Sequence, residues 1–260
     1  MTIGVFDSGL GGLSVLHCAQ KMFPNEHFIY YADEKHVPYG EKTPAEIRFL
    51  VNDIINFMIY KGVDIIMIAC NTATSALTMA YRKRFPIQII GMEPAVKKAI
   101  DLYGDENKRI LVVATPVTIK GKKLNNLVER IDTRQKVDLA ELPQLVRYAE
   151  KGIFSSTQIS KYLQQALQSY DLQSYGTVVL GCTHFNYFKK DFQKLFQVPL
   201  HFVDGNEGTV RQMMRVLSLS TESSGDGITE YYFSGKTVDE SDLKLINSCM
   251  LQLDQVFDIN

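Results

Sequence analysis

Two cysteines, Cys70 and Cys182, each follow a short and mainly apolar segment. Residues 63–69 and 177–181 both end in a small residue, after which come the cysteine and polar side chains. Such runs predict strands buried on both faces of a parallel sheet, and in open α/β sheets ligands bind beyond the carboxyl ends of the strands. The two thiols are therefore candidate catalytic groups.

The chain contains a second pair of similar segments. Residues 3–9 resemble residues 110–116, and both pairs are offset by about the same amount, a little over one hundred residues. Similarity at a constant offset indicates an internal duplication. We predict two α/β domains related by a pseudo-twofold axis, with mainly parallel sheets flanked by helices and an active site in the cleft between them.

Two thiols on opposite sides of one bound molecule suit a particular reaction. One group removes a proton from carbon and the other returns a proton to the opposite face, which is racemisation or epimerisation. A helix N-terminus or a nearby cation brings the pKa of a cysteine from about 8.5 toward neutrality. Asp7 is a candidate helper for Cys70, and His184 and Glu150 are candidate helpers for Cys182.

The segment between the first strand and the first helix is rich in glycine. Gly9, Gly11 and Gly12 predict a sharp turn that lets the backbone approach a small ligand, with free amides at the helix start for an anion. The dinucleotide fingerprint is not met, because Ser14 holds the place of its third glycine.

Helix signals follow further along the chain. Residues 43–46 combine a capping box with a proline at the first helical position. Asn71 and Thr72 are expected to cap the helix after Cys70, which should end before Pro86. The positions expected to be buried on this helix are Ala73, Leu77 and Ala80.

Composition excludes several classes of partner. The net charge of −1, from 28 basic and 29 acidic residues, provides no field that attracts nucleic acid or an anionic membrane. No secretory segment or run of about 18 apolar residues is present, so we expect a soluble, cytoplasmic protein. The four cysteines include no Cys-x-x-Cys pair, which favours free thiols.

The length suits two domains. A chain of 260 residues with 45% hydrophobic content can form two ordinary cores. We predict a discontinuous first domain, residues 1–93 with 208–260, that carries Cys70, and a second domain, residues 94–207, that carries Cys182.

Five motifs closely resemble those of the bacterial glutamate racemase family, within the aspartate/glutamate racemases. They are residues 7–12, 31–33 with 37–40, 69–73, 91–94 and 180–184. The resemblance covers residues 3 to about 205. It implies a cofactor-independent isomerase, usually a homodimer, that interconverts L- and D-glutamate. It also implies a role in peptidoglycan synthesis, and hence in cell wall biogenesis and cell shape.

The resemblance also implies roles for individual residues. Cys70 would deprotonate D-glutamate and Cys182 L-glutamate. The polar helpers it implies are Asp7, Asp33, Glu150 and His184. The substrate-binding positions it implies are Asp7, Ser8, Tyr39, Gly40, Asn71, Thr72, Thr115, Thr118, Thr183 and His184. The chain departs from the family pattern at Asn186, where proline is usual, and at Gly121 and Leu124, where serine and tyrosine are usual.

Other functions remain open. An aspartate racemase has the same chemistry, and a cysteine-dependent amidase could pair Cys182 with His184, although that leaves Cys70 without a purpose. A metal site at these three residues lacks a zinc spacing, and no lysine stands at a predicted strand end for pyridoxal phosphate. In a two-lobed amino-acid-binding module both cysteines would be small buried apolar residues.

Overall fold

The computed structural model describes residues 1–92, 95–104, 106–217 and 225–259. The strands in these residues are β1 (Thr2–Asp7), β2 (His27–Ala32), β3 (Ile65–Ile68), β4 (Gln88–Gly91), β5 (Arg109–Ala114), β6 (Val137–Glu141), β7 (Tyr175–Leu180), β8 (His201–Val203), β9 (Thr229–Phe233) and β10 (Lys236–Thr237). The helices are α1 (Leu13–Met22), α2 (Pro44–Tyr60), α3 (Asn71–Ala76), α4 (Met79–Arg82), α5 (Val96–Tyr103), α6 (Pro116–Ile119), α7 (Lys122–Ile131), α8 (Pro143–Glu150), α9 (Thr157–Ala166), α10 (Lys189–Phe196), α11 (Asn206–Leu217) and α12 (Glu240–Val256). Short 3₁₀ turns include Thr183–Phe188.

The strands form two sheets. One has six strands in the order β10-β9-β2-β1-β3-β4, and the other has four in the order β6-β5-β7-β8. Neighbouring strands are parallel in both sheets, except for β9 and β10. The expectation of mainly parallel sheets is confirmed.

The duplication seen in the sequence is also present in the topology. The order β2-β1-β3-β4 in one sheet repeats as β6-β5-β7-β8 in the other. The amide of Ala69 donates to the carbonyl of Phe6 at 2.7 Å, and the amide of Gly181 donates to that of Val113 at 2.8 Å. Since the next residue in each case is a cysteine, the two thiols occupy equivalent strand ends.

Residues 208–217 and 225–259 pack largely on the first sheet and on its helix α1. Strand β9 pairs with β2, and α11 packs on α1 and β4. Helix α12 contacts α1 and the turn Thr183–Phe188, and the largest hydrophobic cluster contains residues of both sheets. The division into two domains at these boundaries stays a prediction, and residue 93 lies outside the described residues.

The segment after Cys70 differs from the expectation. The cap of α3 is Cys70 itself, whose Sγ accepts the amide of Ala73 at 3.4 Å, so the prediction that Asn71 and Thr72 cap this helix is wrong. The chain also breaks after α3, because the Thr78 hydroxyl accepts the amide of Tyr81 and starts α4. Ala73 and Leu77 are buried as expected, but this break leaves Ala80 exposed.

The predicted start of α2 is confirmed: Thr43 is its cap and shares a capping box with Glu46. No helix in the described part of the chain is long and apolar enough to span a bilayer.

Candidate active site

The carboxyl ends of both sheets enclose one small cavity. Its lining residues are Asp7, Ser8, Pro38, Tyr39, Gly40, Cys70, Asn71, Thr72, Thr115, Val146, Cys182, Thr183 and His184. The structure thus brings together both cysteines and all the expected site residues except three, Asp33, Thr118 and Glu150. The cavity volume is about 10 Å³, room for about one water molecule, so the site is nearly closed.

Cys70 lies against a buried carboxylate. Its Sγ is 3.8 Å from the hydroxyl of Ser8 and interacts with Asp7, which is completely buried. Burial, together with the negative charge of Asp7, raises the pKa of the Cys70 thiol well above its usual value, although the amide of Ala73 acts in the opposite direction. Cys70 is therefore a thiol at neutral pH.

Burial also raises the pKa of Asp7, and this effect is opposed by His184 and by hydrogen bonds from Cys70 and Ser8. The amide of Ser8 donates to Oδ1 of Asp7 at 2.7 Å, and the hydroxyl of Thr183 donates to Oδ2 at 3.3 Å. Because its pKa is raised, this carboxylate is a stronger base than an exposed aspartate. It is placed to receive the proton of Cys70.

Cys182 lies beside a histidine. Nδ1 of His184 is 3.6 Å from Sγ of Cys182, and Nε2 forms a hydrogen bond with Oε1 of Glu150. Burial lowers the pKa of His184, but its bonds to Cys182 and Glu150 outweigh burial and raise the pKa well above its usual value. His184 is therefore an imidazolium at neutral pH, and its positive charge lies beside the sulfur of Cys182.

The two thiols are thus equivalent in the fold but different in their chemistry. Cys70 has a carboxylate neighbour and holds its proton, whereas Cys182 has a cationic neighbour. This arrangement can take a proton from one face of a molecule and give a proton to the other.

The glycine-rich turn has a different purpose from the one expected. The amide of Leu10 donates to Oε1 of Glu150 at 2.8 Å, so a side chain of the second half takes the place of an external anion. A Cβ on Gly9 would overlap Glu150, and one on Gly11 would overlap His184. The absence of a Cβ at these two glycines leaves space for Glu150 and for His184, the residue that contacts Cys182.

Two tyrosines that sequence reasoning missed fix the same turn. Tyr30 donates to the carbonyl of Gly9 and Tyr187 to that of Leu10, both at 2.6 Å and both buried. Tyr187 lies in the second half, so the contact depends on how the halves meet. A local sequence pattern carries no signal for such a contact.

The three expected residues that do not line the cavity support residues that do. Asp33 accepts a hydrogen bond from the hydroxyl of Tyr39 at 2.6 Å, so the structure places it behind Tyr39 and away from the thiols. The hydroxyl of Thr118 is 3.1 Å from that of Thr115, which is in turn 3.1 Å from that of Thr72 across the cleft. Glu150 lies behind His184.

The part of the chain that the structure describes contains no cluster of metal-ligating side chains. Within residues 1–92, 95–104, 106–217 and 225–259, no three His, Cys, Asp or Glu side chains are grouped so that they could hold an ion.

Similarity to known proteins agrees with the cavity chemistry. Residues 13–213 match the Asp/Glu/Hydantoin racemase family. A protein named glutamate racemase from Campylobacter curvus is 45% identical over 265 residues, which cover 100% of both chains. The chain belongs to the Asp/Glu/Hydantoin racemase family. The resemblance inferred from the motifs, and the isomerase class that it implies, are confirmed.

Solved structures of the family have the same fold. Glutamate racemase from Campylobacter jejuni subsp. jejuni has a TM-score of 0.81 at 27% identity and covers 98% of both chains. The Escherichia coli glutamate racemase, solved with L-glutamate and the activator UDP-MurNAc-ala, has a TM-score of 0.77 at 29% identity and covers 84% of this chain and 82% of that one. The predicted α/β fold class is confirmed.

Proposed function

We propose that this protein interconverts L- and D-glutamate by two proton transfers at Cα, with Cys70 and Cys182 as the two bases. The observation that carries the proposal is the pair of thiols at equivalent strand ends of one cavity, each with its own polar partner. Relatives that match the whole length of the chain are named glutamate racemases, which supports glutamate as the substrate.

The neighbours of the two cysteines suit the following order of events. Starting from L-glutamate, Cys182 in its thiolate form takes the Cα proton. Before this transfer, the neighbouring His184 stabilises the negative charge of the thiolate. The Cys70 thiol then donates its proton to the opposite face of the carbanion. This step leaves a Cys182 thiol, a Cys70 thiolate and D-glutamate. Asp7 and His184 return the two cysteines to their first state by exchanging protons with solvent.

Polar groups at the cavity suit an amino acid. Oδ1 of Asn71 is buried and has no hydrogen-bond partner among the described residues, so it can accept from an α-ammonium group. The hydroxyls of Ser8 and Thr72 can donate to carboxylates. Because the cavity holds about one water molecule, we infer that the halves separate or that side chains rearrange when glutamate enters.

A cofactor-free assay tests the proposal. Purified protein, dialysed against a chelator, is incubated with L-glutamate or L-aspartate while circular dichroism follows the optical activity. Complete decay of the L-glutamate signal with little change for L-aspartate supports the proposal. Faster decay for L-aspartate favours aspartate racemase, and release of ammonia from glutamine without racemisation favours a cysteine-dependent amidase. Binding of glutamate without turnover favours the two-lobed amino-acid-binding module.

The wider role of the reaction is proposed on the same basis. D-glutamate made by this chain would enter peptidoglycan synthesis in the cytoplasm, and the active form would be a homodimer. These statements rest on the family resemblance and stay predictions.

A further inference from the structure

Thr183 connects the surroundings of the two cysteines. Thr183 directly follows Cys182, and its hydroxyl donates to Oδ2 of Asp7, the partner of Cys70. A shift of this residue therefore changes the support of both thiols. The groups that fix the backbone of Thr183 should therefore affect the proton transfers of the two cysteines.

Two buried side chains hold that carbonyl. Nδ2 of Asn186 donates to it at 3.2 Å from within the same turn, and the hydroxyl of Ser14 donates at 3.3 Å from α1. Neither side chain lines the cavity that contains the cysteines. Both line a separate cavity of about 390 Å³ on the other side of Thr183, so they contact no reacting atom.

We propose that Asn186 is a positioning residue for the Cys70 half of the reaction, acting through Thr183 and Asp7. Its hydrogen bond fixes the carbonyl of Thr183, and this fixes the hydroxyl that donates to Asp7. A correctly placed donor stabilises the Asp7 carboxylate and orients it toward the thiol of Cys70. The side chain thus lies in one half of the molecule and acts on the base of the other half.

The test is substitution of Asn186 by leucine, which has a similar volume but no donor and has the neighbouring cavity as space. This inference rests on the proposed racemisation, so the wild type must first racemise glutamate; if it does not, the proposed function fails before this test begins. In the variant we expect kcat/KM to fall about three- to tenfold, the effect of one hydrogen bond.

Isotope effects identify the affected step. When the proton transfer of Cys70 becomes slower, the primary isotope effect on kcat/KM should rise for α-deuterated D-glutamate, from which Cys70 removes the label. It should fall for α-deuterated L-glutamate, from which Cys182 removes it. A purely structural role would lower the Tm and the amount of folded enzyme without moving the two isotope effects in opposite directions.

A matched control is available in the same half of the molecule. Nε2 of Gln173 donates to the carbonyl of Phe196 at 3.2 Å, the same kind of bond at the same length, and Gln173 does not line the cavity that contains the cysteines. Gln173→Leu should leave both isotope effects at wild-type values. Asn186→Leu with wild-type isotope effects would overturn the proposal.

Ser14→Ala provides a second route if the leucine variant folds poorly, because it removes the other donor to the same carbonyl. Its isotope effects should change in the same directions. Two donors to one acceptor compensate for each other, so the double variant should lose more than the product of the single losses. Multiplicative losses would show that the two residues act separately, and the proposal would be wrong.

Discussion

At the residue scale, the two cysteines differ in what surrounds them, and thermodynamics limits how that difference can be measured. L- and D-glutamate have the same free energy in water, so kcat/KM must be equal in the two directions for the wild type and for every variant. An asymmetric change can appear only as kcat and KM moving together, or as an isotope effect that depends on the labelled enantiomer.

Asp7→Asn should trade activity for stability. Burial raises the pKa of Asp7 in the folded protein, so the folded state binds this proton more tightly than the unfolded chain does. The resulting cost is absent below the unfolded value of about 3.9 and is complete above the raised folded value. At pH 7 the asparagine variant should therefore have a higher Tm, by about 2–4 °C for each kcal/mol of burial cost removed.

The same variant should lower turnover about a hundredfold or more, because an amide cannot accept the proton of Cys70. Thermal unfolding at pH 3 and pH 7, with kcat from both enantiomers, checks both effects. If the Tm at pH 7 does not rise, burial of the Asp7 carboxylate does not destabilise the folded protein.

His184→Asn should affect Cys182, and it should change the stability of the protein at alkaline pH. The pKa of His184 is raised in the folded protein, so its contribution to stability is complete below about pH 6.5 and is lost as the pH rises through the folded value. Wild-type protein should therefore lose Tm on the alkaline side, and the asparagine variant should lose less. Its isotope effect should rise with α-deuterated L-glutamate, whereas that of Asn186→Leu should rise with α-deuterated D-glutamate. Parallel alkaline Tm curves would exclude a charged His184.

At the element scale, the glycine-rich turn explains why three glycines stand between β1 and α1. Each Cβ position there is already occupied by a side chain, Glu150 for Gly9, His184 for Gly11 and Asp7 for Gly12. The absence of side chains in this turn therefore leaves space for the polar residues that surround the two thiols.

Gly11→Ala should reduce kcat about ten- to a hundredfold, because the added methyl group displaces the imidazole that faces Cys182. Gly208 is a suitable control, since a Cβ there meets no atom within 4 Å and the residue lies in α11. Gly208→Ala should keep full activity and gain up to about 1 kcal/mol of stability. Steady-state kinetics on both variants decides the matter. Equal activity would mean that His184 tolerates displacement.

Local patterns predicted those parts of the fold that depend on local chemistry. The apolar runs before Cys70 and Cys182 give strands, and the capping box at Thr43 starts α2 as expected. The break at Thr78 was missed, because a serine or threonine in a helical pattern is neutral until its hydroxyl finds an amide. Strand β6 was missed too, since its side chains are mostly only partly buried.

Contacts between the halves could not be predicted from the sequence. The bonds of Glu150 and Tyr187 to the glycine-rich turn join residues separated by 140 and 177 positions. Their existence depends on how two separately recognisable units meet. The duplication nevertheless placed both thiols at one cleft, because equivalent strand ends follow from the repeat alone.

At the scale of the whole molecule, two halves that meet at one cavity predict how solvent hydrogen enters the product. In an enzyme with a single base, the group that removes the proton also returns it, so solvent deuterium enters recovered substrate as readily as product. With Cys70 and Cys182 on opposite sides, the hydrogen delivered to the product comes from a thiol already equilibrated with solvent. The hydrogen removed from the substrate goes to the other thiol.

In D₂O, early in the reaction, L-glutamate should therefore give D-glutamate deuterated at Cα while the remaining L-glutamate stays largely protiated, and D-glutamate should give the mirror result. Mass spectrometry of the separated enantiomers measures both pools. Cys70→Ala and Cys182→Ala should each abolish racemisation, by at least about a thousandfold, and should remain folded because only a small strand-end side chain is removed. Extensive early deuteration of unreacted substrate, or near-normal racemisation by either variant, would contradict a mechanism with one thiol on each face.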